Sequence, residues 1–374
     1  MSETIGERRR YPWGLFGALG LILAVESIIA RHTLELTTPP RLEWGESRRA
    51  ATAEAKGCQV LGLGTSMTKL GLFPAVVERE SGRRVYNLAS CAGRLPGSYF
   101  LLREALAAGA KPEAIVLEVH PSYLATPFHE GMVAWPDLLD PADCLDLAWT
   151  ARDASFFAAT MLARYLPSVG ARAEIRAAIV AAFQGQTHSN RSNLLAHRRN
   201  LDRNAGAFVR RREGPYDGQV TPYLAGMYLH PYWSANPVNE RYLRRLLDLC
   251  STRGIQVYWL IPPVVPDLQI RRESLGLDAA YDRFAQRIQR KYTRLVVLDA
   301  RRSGYEAPVF GDAAHLDVPG AMALSAEVGR IIKAGRVDST TEPRWVALPK
   351  YRDQPNEARL EDIAQSARVI TRVR

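Results

Sequence analysis

The sequence predicts an α/β fold built on a parallel five-stranded sheet, and three observations predict it. Short apolar runs recur along the chain, segments with helical spacing separate them, and serine, glycine, aspartate and histidine gather directly behind the runs. The runs lie at 57–63 (GCQVLGL), 84–89 (RVYNLA), 114–119 (AIVLEV), 256–261 (QVYWLI) and 294–299 (RLVVLD). Before the fourth run, Tyr242, Leu243, Leu246 and Leu247 recur at helical spacing, and Gly254 follows as a stop signal. Strands joined through helices in this way lie parallel, with right-handed crossovers.

Composition bounds the reading. A chain of 374 residues, 47% hydrophobic and 24% charged, can bury a full core and belongs with globular proteins of one large or two ordinary domains. The net charge of +10 comes mostly from arginine, with only six lysines. That charge suits an anionic partner such as a membrane surface or an acidic polymer. It is scattered, and no zinc-finger or RNA-binding signature accompanies it, which sets nucleic acid aside. Cys58, Cys91, Cys144 and Cys250 show no C-x-x-C spacing, so no metal site is expected, and they are compatible with one disulfide or with four buried thiols.

Taken in order, residues 1–10 read as a cytoplasmic tail with Arg8, Arg9 and Arg10, and 11–30 as a transmembrane anchor with Glu26 near its far end. At about 1.5 Å per residue that helix approaches the roughly 30 Å of bilayer hydrocarbon. The basic cluster favours a cytoplasmic amino terminus and a periplasmic or extracellular main domain. Residues 31–55 read as a polar stalk, 56–124 and 236–335 as the α/β domain, 125–235 as an insertion or lid, and 336–374 as a polar tail. Within the insertion Phe157, Met161 and Tyr165, and then Ile175, Ile179 and Phe183, recur every four residues as core faces of helices. From 184 to 235 periodicity is weak, and Arg198, Arg199, Arg210, Arg211 and Arg212 mix with Tyr216, Tyr223, Tyr228, Tyr232 and Trp233, the composition of a binding loop or a packed lid edge.

Ligands of parallel α/β sheets bind beyond the carboxyl ends of the strands, so the loops behind the runs are where chemistry gathers. The first run ends in Gly64-Thr65-Ser66, the second leads into Ser90-Cys91-Ala92-Gly93-Arg94, the third into His120-Pro121-Ser122, and the fifth is followed by Gly311-Asp312-Ala313-Ala314-His315. A serine, a glycine-bearing turn and an Asp-x-x-His supply the nucleophile, oxyanion donors, base and base-orienter of acyl transfer. Residues three apart on a helical turn share a face, so Asp312 can hold His315 Nδ1 and leave Nε2 for Ser66.

The blocks GLGTSMTKLGL, YNLASCAGRLPGSYFLLREAL and VFGDAAHLDVPGA, in this order, resemble those of the SGNH/GDSL hydrolase superfamily, most closely its membrane-anchored branch that acts in polysaccharide O-acetylation and teichoic acid D-alanylation. The resemblance implies a three-layer, flavodoxin-like fold. It also implies Ser66 as nucleophile, Asp312 and His315 as its partners, and the Ser66 and Gly93 amides as oxyanion donors. Two departures stand out: Thr65 replaces the aspartate of Gly-Asp-Ser, and the asparagine expected after the third strand is absent. His120, Ser122 or Arg94 is left to substitute as oxyanion or substrate contact. The resulting expectation is a membrane-anchored acyl, in particular acetyl, transferase or esterase acting on cell-envelope carbohydrate, with no cofactor, and with a membrane-bound acyl donor protein and an envelope polysaccharide as partners. The rival expectations are a plain carbohydrate or lipid esterase and a catalytically silent domain that binds polysaccharide or scaffolds.

Overall fold

The computed structural model describes residues 13–31, 33–128, 134–186, 189–335, 344–355 and 359–372. The expected tail 1–10 lies outside them. Strands form at β1 (Val60–Leu63), β2 (Val85–Asn87), β3 (Ala114–Glu118), β4 (Gln256–Ile261), β5 (Leu295–Asp299) and β6 (Trp345–Ala347). All neighbours are parallel, in the order β2-β1-β3-β4-β5-β6. Alternate residues face opposite layers: Leu61, Leu63, Ile115, Leu117 and Trp259 enter one core, and Val60, Val116, Tyr258 and Leu260 the other.

The sheet therefore has six strands, not five. The sixth comes from the segment expected to be a tail, because Trp345–Ala347 pairs along β5, with Val297 N–H donating to Arg344 O at 2.8 Å and Leu348 N–H to Asp299 O at 2.8 Å. Farther on, the helix Ile363–Arg372 packs against Arg191–Arg203 of the insertion. Asn200 and Asn204 fasten this end of the chain by donating to Glu361 O at 2.7 and 2.9 Å.

The amino-terminal expectations also change. Among the described residues no helix is long and apolar enough to cross a membrane, which overturns the anchor at 11–30 and, with it, the cytoplasmic amino terminus and exported main domain that were derived from it. The helix Trp13–Arg31 meets protein near its far end, where the Glu26 carboxylate accepts hydrogen bonds from the Ser168 backbone, at 2.9 Å, and the Ser168 hydroxyl. The expected stalk holds the helix Pro39–Thr52, whose Leu42, Trp44, Ala50 and Ala51 are buried against the domain. In the insertion the periodic residues do form helices, Ala154–Tyr165 and Arg172–Phe183, yet Tyr165, Ile179 and Phe183 stand exposed and are not core. The four cysteines are free thiols.

A chain ending at residue 335 would leave the backbone edge of β5 unpaired and open to other chains. Such a truncation should elute from size exclusion as aggregate or melt well below the full chain.

A candidate serine active site

The site is assembled where β1 ends. Gly64 turns the chain at φ +143°, and a side chain there would strike Glu118 Cβ at 2.8 Å and Thr68 Oγ1 at 2.9 Å, so glycine is required. Thr65 caps the helix Ser66–Gly71 by accepting the Met67 N–H. Ser66 is the first residue of that helix, where backbone N–H groups have no partner within the helix. Thr65, in the position of the missing aspartate, is bound from the end of β3. Its N–H and hydroxyl donate to Glu118 Oε2 at 2.8 and 2.6 Å, while His120 N–H donates to Glu118 Oε1 at 2.7 Å. Burial pushes the Glu118 carboxyl above its ordinary range, and these donors pull against it.

The three expected triad residues meet. Ser66 Oγ lies 2.7 Å from His315 Nε2, and His315 Nδ1 lies 2.8 and 2.9 Å from the two oxygens of Asp312. Ser66 is buried, whereas the Asp312 side chain keeps 44% of its exposure, so the three residues run from interior to rim. Asp312 and His315 do not share a helical turn, as the spacing suggested. They occupy a bend closed by a bridge between Phe310 and Leu316, in which Asp312 Oδ1 also accepts the Ala314 and His315 N–H groups at 2.9 and 3.0 Å. Aspartate favours this local turn because its short carboxylate reaches its own backbone two and three residues on. Burial pushes the Asp312 carboxyl up, but the His315 ring and the two backbone donors outweigh it and hold the group below the ordinary carboxylate range. The helix that follows, Val318–Ala334, is capped by Asp317.

The oxyanion residues come out differently. Gly93 stands in the expected loop, but its N–H donates to Ser90 O at 2.7 Å and closes a turn. Its glycine character answers to packing, since a side chain would meet Ser90 O at 2.6 Å and Gly64 O at 2.9 Å. Ser122 is buried with its hydroxyl oxygen accepting from Arg272 Nη1 at 3.1 Å, in a network with Asp278. His120 caps the helix Pro121–Ala125 by accepting the Ser122 N–H at Nδ1. Burial, then the charges of Arg272, Arg301 and His315, hold its imidazole well below its ordinary value, so it stays neutral. Arg94 stands at the N-cap position of the helix Leu95–Ala107 without a side-chain capping bond, and its guanidinium lies 4.6 Å over the ring of Tyr123.

Tyr123 was missed by the sequence reading. It is buried one residue beyond the last position considered, beneath the Arg94 guanidinium. The signal was present: proline after His120 opens a helix, and one turn of it carries the chain from the end of β3 back over the rim. From the insertion, Arg212 reaches the triad loop and donates to Gly311 O at 3.0 Å.

The chain matches no protein-family model, and no curated protein matches it either.

Two outcomes follow. Glu118→Gln presents an amide to a site that offers three donors, so one of them is left buried without an acceptor; unfolding in urea should show a loss of about 1–3 kcal/mol. A carboxylate whose folded pKa is depressed stabilises the fold above its ordinary pKa and loses that contribution as pH falls through the lowered value. Asp312→Asn should accordingly flatten the fall of melting temperature with pH below the ordinary carboxylate range, relative to the wild type.

Proposed function

We propose that this protein is a serine-dependent acyl-transfer enzyme, an O-acyltransferase or esterase acting on carbohydrate esters, of the kind found among SGNH-like hydrolases. The observation that carries the reading is the unbroken relay from Ser66 Oγ through His315 to Asp312. Asp312 accepts the Nδ1 proton, which leaves Nε2 as the base. Ser66 Oγ attacks the ester carbonyl carbon and its proton passes to Nε2, while the carbonyl π pair becomes the oxyanion. Collapse breaks the bond to the leaving alkoxide, which takes the proton from His315. Water or an acceptor hydroxyl then repeats the sequence on the acyl-serine, losing its proton to Nε2 and releasing Ser66.

A carbohydrate partner is supported by an open trough of about 730 Å³, lined among others by Thr126, Tyr223, Met227, His230, Tyr232 and Ser234. No Asp, Glu, Lys or Arg is among the described residues that line it. Tyr223 and Tyr232 each stand 74% exposed there, and flat apolar faces mixed with neutral hydroxyls suit a sugar ring better than an anion or a peptide. Two helices border the trough: Pro121–Ala125, which follows β3, contributes Ala125 to it, and Pro222–Tyr228 contributes Tyr223, while Tyr228 meets Tyr123 edge-on, their ring centroids 6.4 Å apart.

The second reading, a silent carbohydrate-binding domain, is favoured by one observation: the Gly93 amide is already engaged. The two are separated by a fluorophosphonate probe and nitrophenyl acetate. The enzyme reading expects one label per chain, on Ser66, turnover that disappears in Ser66→Ala and His315→Ala, and faster nitrophenol release when an oligosaccharide acceptor is added. Turnover indifferent to any acceptor would make it a plain esterase. A Ser66 that stays unlabelled, with no turnover, would leave the binding domain.

A further inference from the structure

Ser66 and His315 stand 249 residues apart in the chain, on two different loops, and the 2.7 Å between Oγ and Nε2 holds only while those loops keep their relative position. One stretch of the insertion is bonded to both. At its near end Lys69, in the helix Ser66–Gly71, donates through Nζ to Gly206 O at 2.8 Å and accepts the Phe208 N–H at its carbonyl at 2.9 Å. Farther on, Arg212 Nη1 donates to Gly311 O at 3.0 Å, in the loop that carries Asp312 and His315, and Arg212 N–H donates to Asp317 Oδ1 at 3.3 Å just behind that loop.

Residues 207–212 form neither helix nor strand, yet their backbone is fastened. Asn200 Oδ1 accepts the Val209 N–H at 2.9 Å, Ile363 N–H donates to Val209 O at 3.0 Å, and Arg211 N–H donates to Asp362 Oδ2 at 2.8 Å. An irregular segment whose polar groups are engaged in this way is held by its surroundings as firmly as a regular element.

We propose that residues 206–212 form a clamp between the helix of Ser66 and the loop of Asp312 and His315, with Arg212 as its positioning residue; this rests on the acyl-transfer reading of Ser66. The Gly311 carbonyl and the Asp312 N–H belong to one planar peptide unit and point in opposite directions. The N–H side looks into the loop, with His315 O 3.5 Å away, while the carbonyl side is held from outside by the guanidinium. On the other side of Asp312, Val265 N–H bonds Ala313 O at 3.0 Å. Asp312 is thus pinned through both of its chain neighbours, and its carboxylate is what orients His315 Nδ1. The Arg212 side chain has its own support, since its guanidinium carbon lies 5.1 Å from the ring centroid of Tyr216, which is buried and donates its hydroxyl to Gln219 O.

The bond from Arg212 to Gly311 O is charge-assisted but exposed, so its loss changes global stability little. Its effect falls on the geometry of the reacting atoms, where a displacement of about 1 Å costs up to about 10²-fold in rate.

Wild type and Arg212→Met are compared by steady-state kinetics with nitrophenyl acetate, by the rate at which a fluorophosphonate labels Ser66, and by thermal unfolding. Loss of the donor lowers kcat and the labelling rate together, by about 10–10²-fold, with KM changed less than about threefold and the melting temperature unchanged. A wild-type labelling rate in Arg212→Met overturns the proposal whatever happens to KM, because the serine and its base are then undisturbed. Absence of labelling in the wild type, or full activity in Ser66→Ala, overturns instead the reading on which it rests. Should Arg212→Met melt early, Arg212→Lys decides the matter, since it returns a charged donor. Recovery of kcat and labelling rate to within about threefold of wild type supports the positioning role, and a recovered melting temperature with both rates still low overturns it.

Discussion

Glu118 ends β3 with its carboxylate buried, and donors from two neighbouring segments converge on it: the N–H and hydroxyl of Thr65 from the turn after β1, and the N–H of His120 from the start of the next helix. A buried carboxylate is tolerated only where such donors replace water. The arrangement works in both directions, because the donors it gathers fix the two segments that carry Ser66 and Tyr123. Gly64 belongs to the same constraint. Any side chain at that turn would occupy the space of Glu118, so the turn before Ser66 and the carboxylate are packed as one unit.

A second buried layer supports the loop between β2 and the helix Leu95–Ala107. Trp44 Nε1 donates to Cys91 O at 2.9 Å, Ser47 Oγ to Ala89 O at 3.3 Å, and the Glu43 carboxylate accepts the Cys91 N–H. Lys69, one turn beyond Ser66, donates to Gly206 O at 2.8 Å and so joins the nucleophile helix to the insertion. Burial pushes the Lys69 ammonium below its ordinary value, while the charge of Glu43 pulls it up. Burial likewise raises the Glu43 carboxyl, but His197, whose Nε2 lies 3.8 Å away, the charge of Lys69 and the Cys91 N–H together bring it below its ordinary range. The segment read as a stalk is in this way the foundation of the loop that faces the site, and its polar look came from an outer face of arginines over an inner face of Trp44, Ala50 and Ala51.

What could be read from the residues, and what could not, follows the range of the interactions involved. The runs at 114–119 and 256–261 coincide with β3 and β4 almost residue for residue, because an apolar stretch between turn signals depends on nothing distant. Ser66 was legible because it stands directly behind the first run, and Asp312 and His315 because they follow the fifth run together in one short block. The bend that joins Asp312 to His315 was not, since three-residue spacing fits a helical turn and a carboxylate-closed loop equally well. β6 was hidden because Trp345–Ala347 is three residues long and takes its partner from β5, across a polar stretch. Gly93 stands in the loop behind β2 with its N–H engaged by Ser90 O, a contact that spacing along the chain does not reveal. The apolar run ending at Ala30 reads as a span from its composition, yet among the described residues no helix is long and apolar enough to cross a membrane, and Glu26 in that run accepts from Ser168, far along the chain.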